Sequence, residues 1–184
     1  MRLFIAVPLP RELTDRAAAL LPPALPALKP VRPELMHITL AFLGWTADDR
    51  LPDVVAAARA ATARHRGFDL TMAGAGRFPA SGRPRVVWLG IGAGAEPLAA
   101  LAAEVARALR AAQLTFEDRP FAPHLTLARL RVEASASEWR TVAAAIDGLT
   151  VPALRTHVDR IAVVESVLSP KGPRYTARAE LPLG

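Results

Sequence analysis

"HITLAFLG" occupies residues 37–44 and "HLTLARLR" residues 124–131, and both follow the pattern His, aliphatic, Thr, Leu, Ala. The chain has four histidines, and two of them stand in these near-copies. Each stretch is short, apolar and free of proline, so each reads as a β-strand. Side chains alternate faces along a strand. His37 and Thr39 therefore share one face, with Ile38 and Leu40 on the other. His124 and Thr126 are set against Leu125 and Leu127 in the same way. Each strand offers an imidazole and a hydroxyl on one side and an apolar anchor on the other.

The surroundings of the two motifs repeat as well. In the first half, residues 2–7 read as a buried strand ended by Pro8, and residues 10–21 as a helix with Pro10 at its start. Residues 22–34 hold five prolines and form an irregular or extended connection. A strand over 36–42 follows, then a helix capped by Thr46 or Asp48 and running to about His65, then a strand over 67–73. The second half reads as a strand over 86–92, a helix over 96–113, a strand over 123–130 and a helix over about 135–147 capped by Ser135 or Ser137. Strands over 157–167 and 174–181 complete it. The Gly/Pro/Arg-rich residues 74–85 lack the Gly-Lys-Ser/Thr ending of a phosphate-binding loop and are expected to be a hinge between halves. The expectation is one bilobal α+β domain over 1–184. Its pseudo-repeat halves, about 1–78 and 84–184, pack about a pseudo-two-fold axis, with lobes that can intertwine, and the two His-strands face each other.

Composition narrows the function classes. Hydrophobic residues make up 52 % of the chain, enough for a packed interior and against disorder. The absence of cysteine excludes disulfides, thiolate metal sites and a Cys nucleophile. Pro8 and Pro10 interrupt the first apolar run and Arg11 and Glu12 follow, which is unlike a secretory signal. No apolar run approaches the ~18–20 residues of a membrane span. A soluble, cytoplasmic protein without a membrane partner is expected. Lys and Arg number 23 against 17 Asp and Glu. The excess suits a basic, soluble surface, and equally a phosphorylated or nucleic-acid partner. The basic residues cluster as Arg77, Arg83 and Arg85, as Arg129 and Arg131, and as Lys171, Arg174 and Arg178.

Two imidazoles and two hydroxyls in one cleft suit phosphate ester chemistry. With an ordinary pKa of about 6.5, one His can be neutral and the other protonated near pH 7. One takes a proton from water while the other gives one to the leaving oxygen. Thr39 and Thr126 can donate hydrogen bonds to phosphoryl oxygens. Neither His has a further ligand at metal-binding spacing on its own strand, so no metal and no cofactor is expected. A repeated strand alone would explain the repeated aliphatic residues. It does not explain why polar groups hold the repeated inward positions, since burying them without a partner is costly. His65 reads as a cation at a helix end and His157 as a surface or strand-start residue, and neither is placed in the site.

At these residues the chain resembles the two-histidine phosphoesterase superfamily, and within it the bacterial and archaeal RNA 2′,3′-cyclic phosphodiesterases, also called 2′-5′ RNA ligases. The resemblance spans nearly the whole chain. It includes "RLFIAVPLP", "HITLAFLG", "GRFPASGRPRVVWLGI", "DRPFAPHLTLARLR" and "VESVLSPKGPRYT". It implies a bilobal fold in which each lobe has an antiparallel sheet and outer helices, with the motifs facing across a central cleft. It implies metal-independent hydrolysis of RNA 2′,3′-cyclic phosphate ends to 2′-phosphates, on tRNA fragments or oligonucleotides, by a monomer. Some members also join tRNA halves through a 2′-5′ bond, reversibly and without ATP. By the same resemblance His37 would protonate the departing O3′ and His124 would activate water. Thr39, Thr126 and Arg129 would bind the phosphate, and Phe42 would pack on the terminal nucleobase. Ser166 and Tyr175 match a tail motif and are expected to be structural. The chain departs from the family where a Trp usually precedes the first motif: "KPVRPELM" has Val31 and no Trp. Parity poses a problem too. Phe42 and Arg129 lie five residues after their histidines, and an odd offset on a flat strand points away from the cleft. A twist, a bulge or a strand end must re-aim them.

Overall fold

The computed structural model describes residues 1–170 and 172–184; Lys171, one of the clustered basic residues, lies outside the described residues. Nine strands and four α-helices are placed among the described residues: β1 (Arg2–Pro8), α1 (Arg11–Ala18), β2 (Leu28–Pro30), β3 (His37–Trp45), α2 (Leu51–Thr62), β4 (Phe68–Phe78), β5 (Val86–Ile91), α3 (Ala95–Ala111), β6 (His124–Leu130), α4 (Ala136–Asp147), β7 (Leu154–Val158), β8 (Arg160–Ser169) and β9 (Gly172–Pro182). They form two sheets, ordered β3-β1-β8-β9 and β2-β6-β5-β4-β7, and every pair is antiparallel. The fold is α+β.

The halves in chain order are not the two sheets. The first sheet takes β1 and β3 from the first half and β8 and β9 from the second. The second sheet takes β5 and β6 from the second half and β4 from the first. The first half thus gives β2 and β4 to the sheet that holds β5 and β6, and the second half gives β8 and β9 to the sheet that holds β1 and β3. Residues 79–85 are accordingly a hairpin loop between the paired strands β4 and β5, where a hinge was expected. The expected strand over 157–167 is divided at Asp159, with β7 in one sheet and β8 in the other. Side-chain alternation reports which face a residue occupies but not which strand it pairs with, so neither exchange shows in the sequence.

Local chemistry explains the ends of the helices. Ser135 accepts a hydrogen bond from the Glu138 amide, and the Glu138 carboxylate accepts one from the Ser135 amide, a reciprocal cap that starts α4. Asp48 does not cap α2; its carboxylate pairs with the Met1 ammonium at 2.8 Å. Gly94, with φ +85°, begins α3 where a Cβ would stand 2.3 Å from the Asp69 carbonyl oxygen, so only glycine lets the chain turn against β4 there. α2 packs on β8, β9 and α3, α1 against β7, and α4 against β4. The main core includes Ile38 and Leu40 of β3 and Leu125 and Leu127 of β6, the aliphatic members of the two motifs. A smaller apolar cluster of Phe4, Ala6, Ala162 and Val164, with Phe42 and Tyr175 packed on it, covers the opposite face of the first sheet. Among the described residues, no helix is long and apolar enough to cross a membrane.

Candidate active site

β3 and β6 touch where the two sheets meet, and a cavity of about 630 Å³ opens between them. His37, Thr39, Phe42, His124, Thr126 and Arg129 all line it. The strands place the odd-offset pair there by the same device. In the pairing of β1 with β3, Ala6 stands opposite Thr39 and Ile5 opposite Ala41, so Leu40 is passed over. In the pairing of β5 with β6, Trp88 stands opposite Thr126 and Val87 opposite Ala128, so Leu127 is passed over. Each strand therefore carries a one-residue bulge three positions after its His. The extra residue reverses parity, and position five returns to the face of positions zero and two. Leu40–Ala41 and Leu127–Ala128 are accordingly buried as consecutive residues. The bulged Leu127 leaves no orphan carbonyl, because its oxygen accepts a hydrogen bond from the Val31 amide at 2.8 Å.

The two imidazoles are fixed alike. Nδ1 of His37 lies 2.8 Å from the carbonyl oxygen of Leu35, and Nδ1 of His124 lies 2.7 Å from that of Ala122. A carbonyl only accepts, so each Nδ1 carries the proton and donates it. Nε2 is then the nitrogen left to exchange protons in the cleft. Their packing differs. His37 stacks on Phe4 with ring centres 4.7 Å apart and meets the edge of Tyr175 at 5.5 Å. His124 meets Phe78 edge-on at 5.1 Å. Phe78 in turn leans on Trp88, whose indole lies over Gly76, where any Cβ would collide with it at 2.3 Å. Burial lowers the pKa of His37 below its ordinary value. The bond to Leu35 opposes that shift, and the charges of His124 and Arg129 add to it.

The lining also includes Arg2, Lys29 and Arg32, and no Asp or Glu among the described residues. A cavity edged by cations without carboxylates attracts a polyanion. Lys29 sits opposite Arg129 across the β2–β6 pair, which brings two cations to one end of the cleft. Sequence reading found neither Lys29 nor Arg2. Lys29 lies in the proline-rich connection, whose short strand has no periodicity to announce it. Arg2 could have been found from its position two residues before Phe4 on the same face. Ser166 and Tyr175, expected to be structural, both line the cavity. Of the clustered arginines, Arg77 pairs with Asp147 at 3.3 Å and Arg83 donates to the carbonyls of Arg131 and Val132, so these two serve the scaffold. His157 lies on β7 beside Asp69, away from the cleft lining.

A family model described as the 2′-5′ RNA ligase superfamily matches residues 9–169. The chain belongs to the 2′-5′ RNA ligase superfamily. Within this superfamily it is 35 % identical over 191 residues to a protein of Thermus thermophilus named RNA 2′,3′-cyclic phosphodiesterase, covering 96 % of this chain and 87 % of that one. The solved structure of TT0787 of Thermus thermophilus superposes with a TM-score of 0.79 at 33 % identity, over 100 % of this chain and 98 % of that one. The Escherichia coli LigT structure complexed with 3′-AMP superposes with a TM-score of 0.75 at 29 % identity, over 99 % of this chain and 97 % of that one.

Proposed function

We propose that this superfamily member is an RNA 2′,3′-cyclic phosphodiesterase that opens the cyclic phosphate to a 2′-phosphate with His37 and His124 as its general acid and base. The observation that carries the reading is the pair of imidazoles lining one cavity, each with Nδ1 held by the carbonyl two residues earlier and Nε2 without a hydrogen-bond partner among the described residues. Thr39, Thr126 and Arg129 are proposed to hold the phosphoryl oxygens and Phe42 to stack on the terminal base. In the reaction, His124 Nε2 takes a proton from water as the water oxygen bonds to phosphorus. The P–O3′ bond breaks, and His37 Nε2–H gives its proton to O3′. The product is a 2′-phosphate with a free 3′-hydroxyl, and the acid and base are left with exchanged protonation. Both proton transfers are supplied by imidazole, so the chemistry calls for no metal.

The assignment of acid to His37 has to meet the lowering of its pKa, which leaves the ring neutral near pH 7 in the empty cleft. A bound cyclic phosphate brings a negative charge beside it, which favours the protonated ring. Substrate thus loads the acid.

The test is a panel of 2′,3′-cyclic nucleotides, RNA ends and 2′-5′-linked oligoadenylate, with product ends mapped as 2′- or 3′-phosphate. We expect 2′-phosphate products, full turnover in EDTA, and a loss of about 10²- to 10⁴-fold in His37→Ala and in His124→Ala. Near-normal turnover in either variant, a strict metal requirement, or RNA-end binding with every cyclic phosphate left intact would overturn it.

A further inference from the structure

Trp45 is the most exposed large apolar side chain described, at 85 %. A lone exposed tryptophan on a remote surface would call for no explanation. This one adjoins the cleft. It stands opposite Arg2 in the β1–β3 pairing, so the two side chains leave the same face of the sheet. Arg2 lines the cavity, and its guanidinium lies 5.1 Å from the centre of the Phe42 ring. β3 carries a second register shift at Leu43. The first bulge alone would turn Trp45 away from the cleft face, and the second brings it back. His37, Thr39, Phe42 and Trp45 consequently follow one another along that face, opposite Pro8, Ala6, Phe4 and Arg2. The row begins at the reacting phosphate and ends in open solvent.

The step from Phe4 to Arg2 is two strand residues, about 7 Å. That is roughly twice the 3.4 Å rise of stacked nucleotides, a distance that two unstacked neighbours can span. On the reading given above, the terminal base lies on Phe42, and the strand continues from that nucleotide's 5′ oxygen away from the cyclic phosphate. We propose that Trp45, with Arg2 beside it, is a second nucleobase platform that takes the penultimate nucleotide of a single-stranded RNA whose 3′ end occupies the cleft. An indole face accepts any base, so the platform is tolerant of sequence. The Arg2 guanidinium, 5.1 Å from the Phe42 ring centre and on the residue opposite Trp45, offers its donors to the phosphate that joins the two nucleotides. The Asp48 carboxylate, three residues past Trp45, is paired with the Met1 ammonium and does not leave a bare negative charge in the strand's path.

This inference rests on the phosphodiesterase reading, and its test separates the two. The substrates are a 2′,3′-cyclic mononucleotide and a short oligoribonucleotide with the same terminal base and cyclic phosphate. Wild type is expected to prefer the oligonucleotide in kcat/KM. Trp45→Ala should cut that preference roughly five- to a hundredfold, mostly through KM, and Trp45→Phe should keep most of it. An unchanged preference in Trp45→Ala, with wild type turning over both substrates, overturns the platform and leaves the phosphodiesterase reading intact. A loss accompanied by an altered oligomeric state would assign Trp45 to self-association and also overturn it. Tryptophan fluorescence with a short RNA ending in a 3′-phosphate gives a readout without turnover. A quench that Trp45→Phe lacks supports the platform even if no cyclic phosphate is cleaved. An equal quench in both proteins counts against it.

Discussion

β3 and β6 carry the same pentapeptide pattern and the same bulge, yet β3 lies at the edge of its sheet while β6 has neighbours on both sides. The shared parts are those both halves of the cleft need: an imidazole tethered at Nδ1, a hydroxyl two residues on, and a bulge that re-aims the fifth residue. The differences are where the chemistry is one-sided. Five residues after its His, β3 places Phe42, suited to a base, and β6 places Arg129, suited to a phosphate. His37 is packed between Phe4 and Tyr175 at 4.7 and 5.5 Å, whereas His124 meets Phe78 edge-on at 5.1 Å and Trp88 at 6.3 Å. The two strands share one geometry and stand in unequal environments.

If the bulges set that geometry, their leucines should matter unequally. Leu127 is fully buried on an interior strand, and its carbonyl is tied to Val31. Leu40 is 7 % exposed on an edge strand. Leu127→Ala should cost about 2–5 kcal/mol of stability, and Leu40→Ala less, because an edge strand can relax toward solvent around the smaller side chain. Urea unfolding midpoints at constant m-value measure both. Equal losses would mean that strand position does not distinguish the two bulges.

The next effect separates the two fifth residues. On its proposed role Arg129 supplies charge-assisted hydrogen bonds to the phosphate, so Arg129→Ala should lower kcat/KM roughly ten- to a hundredfold. It should also reduce the slope of log kcat/KM against log salt by about one. Phe42→Ala removes a stacking surface worth about 1–3 kcal/mol and should leave the salt slope alone. The same change in slope for both variants would break the division of labour between the strands.

Much of this was legible before the structure. The duplicated His-x-Thr, its inward face and its aliphatic anchor follow from the period of two. Ser135 and Ser137 were both open as caps of α4, and the reciprocal bonds with Glu138 decide for Ser135. The bulges were legible only as a contradiction: Phe42 and Arg129 had the wrong parity for a cleft residue, and some irregularity had to resolve it. Its place, at Leu40 and Leu127, could not be read, because leucine is equally at home in a regular strand. Pairing partners were hidden for a different reason. β2 and β4, and β8 and β9, cross to the opposite sheet, a choice made by the packing of the whole chain, and nothing in "FDLTMAGAGRF" says which sheet it will join. Lys29 reaches the cleft only through such a pairing, that of β2 with β6.

The smallest effect is the lowered proton affinity of the His37 ring. Burial holds His37 below the ordinary pKa, helped by the positive charges of His124 and Arg129. In the unfolded chain the ring titrates near 6.5. Between that value and its lower folded pKa, the unfolded state binds more protons than the folded one. Stability from this group is therefore full above about pH 6.5 and declines as pH falls through the window beneath it. Melting temperature should drop across that window in wild type and drop less in His37→Gln. The ring's own titration, followed by the NMR signal of its Cε1 proton, should give a midpoint below 6.5 in the free protein. Inorganic phosphate should raise that midpoint, because an anion in the cleft offsets both the burial and the neighbouring cations. The same shift makes the alkaline limb of kcat, which reports the substrate complex, lie at higher pH than that of kcat/KM, which reports the free enzyme. A free-protein midpoint at or above 6.5, or one that phosphate leaves unmoved, would show that burial on β3 does not govern the proton on His37. Substrate could then no longer be the agent that charges His37.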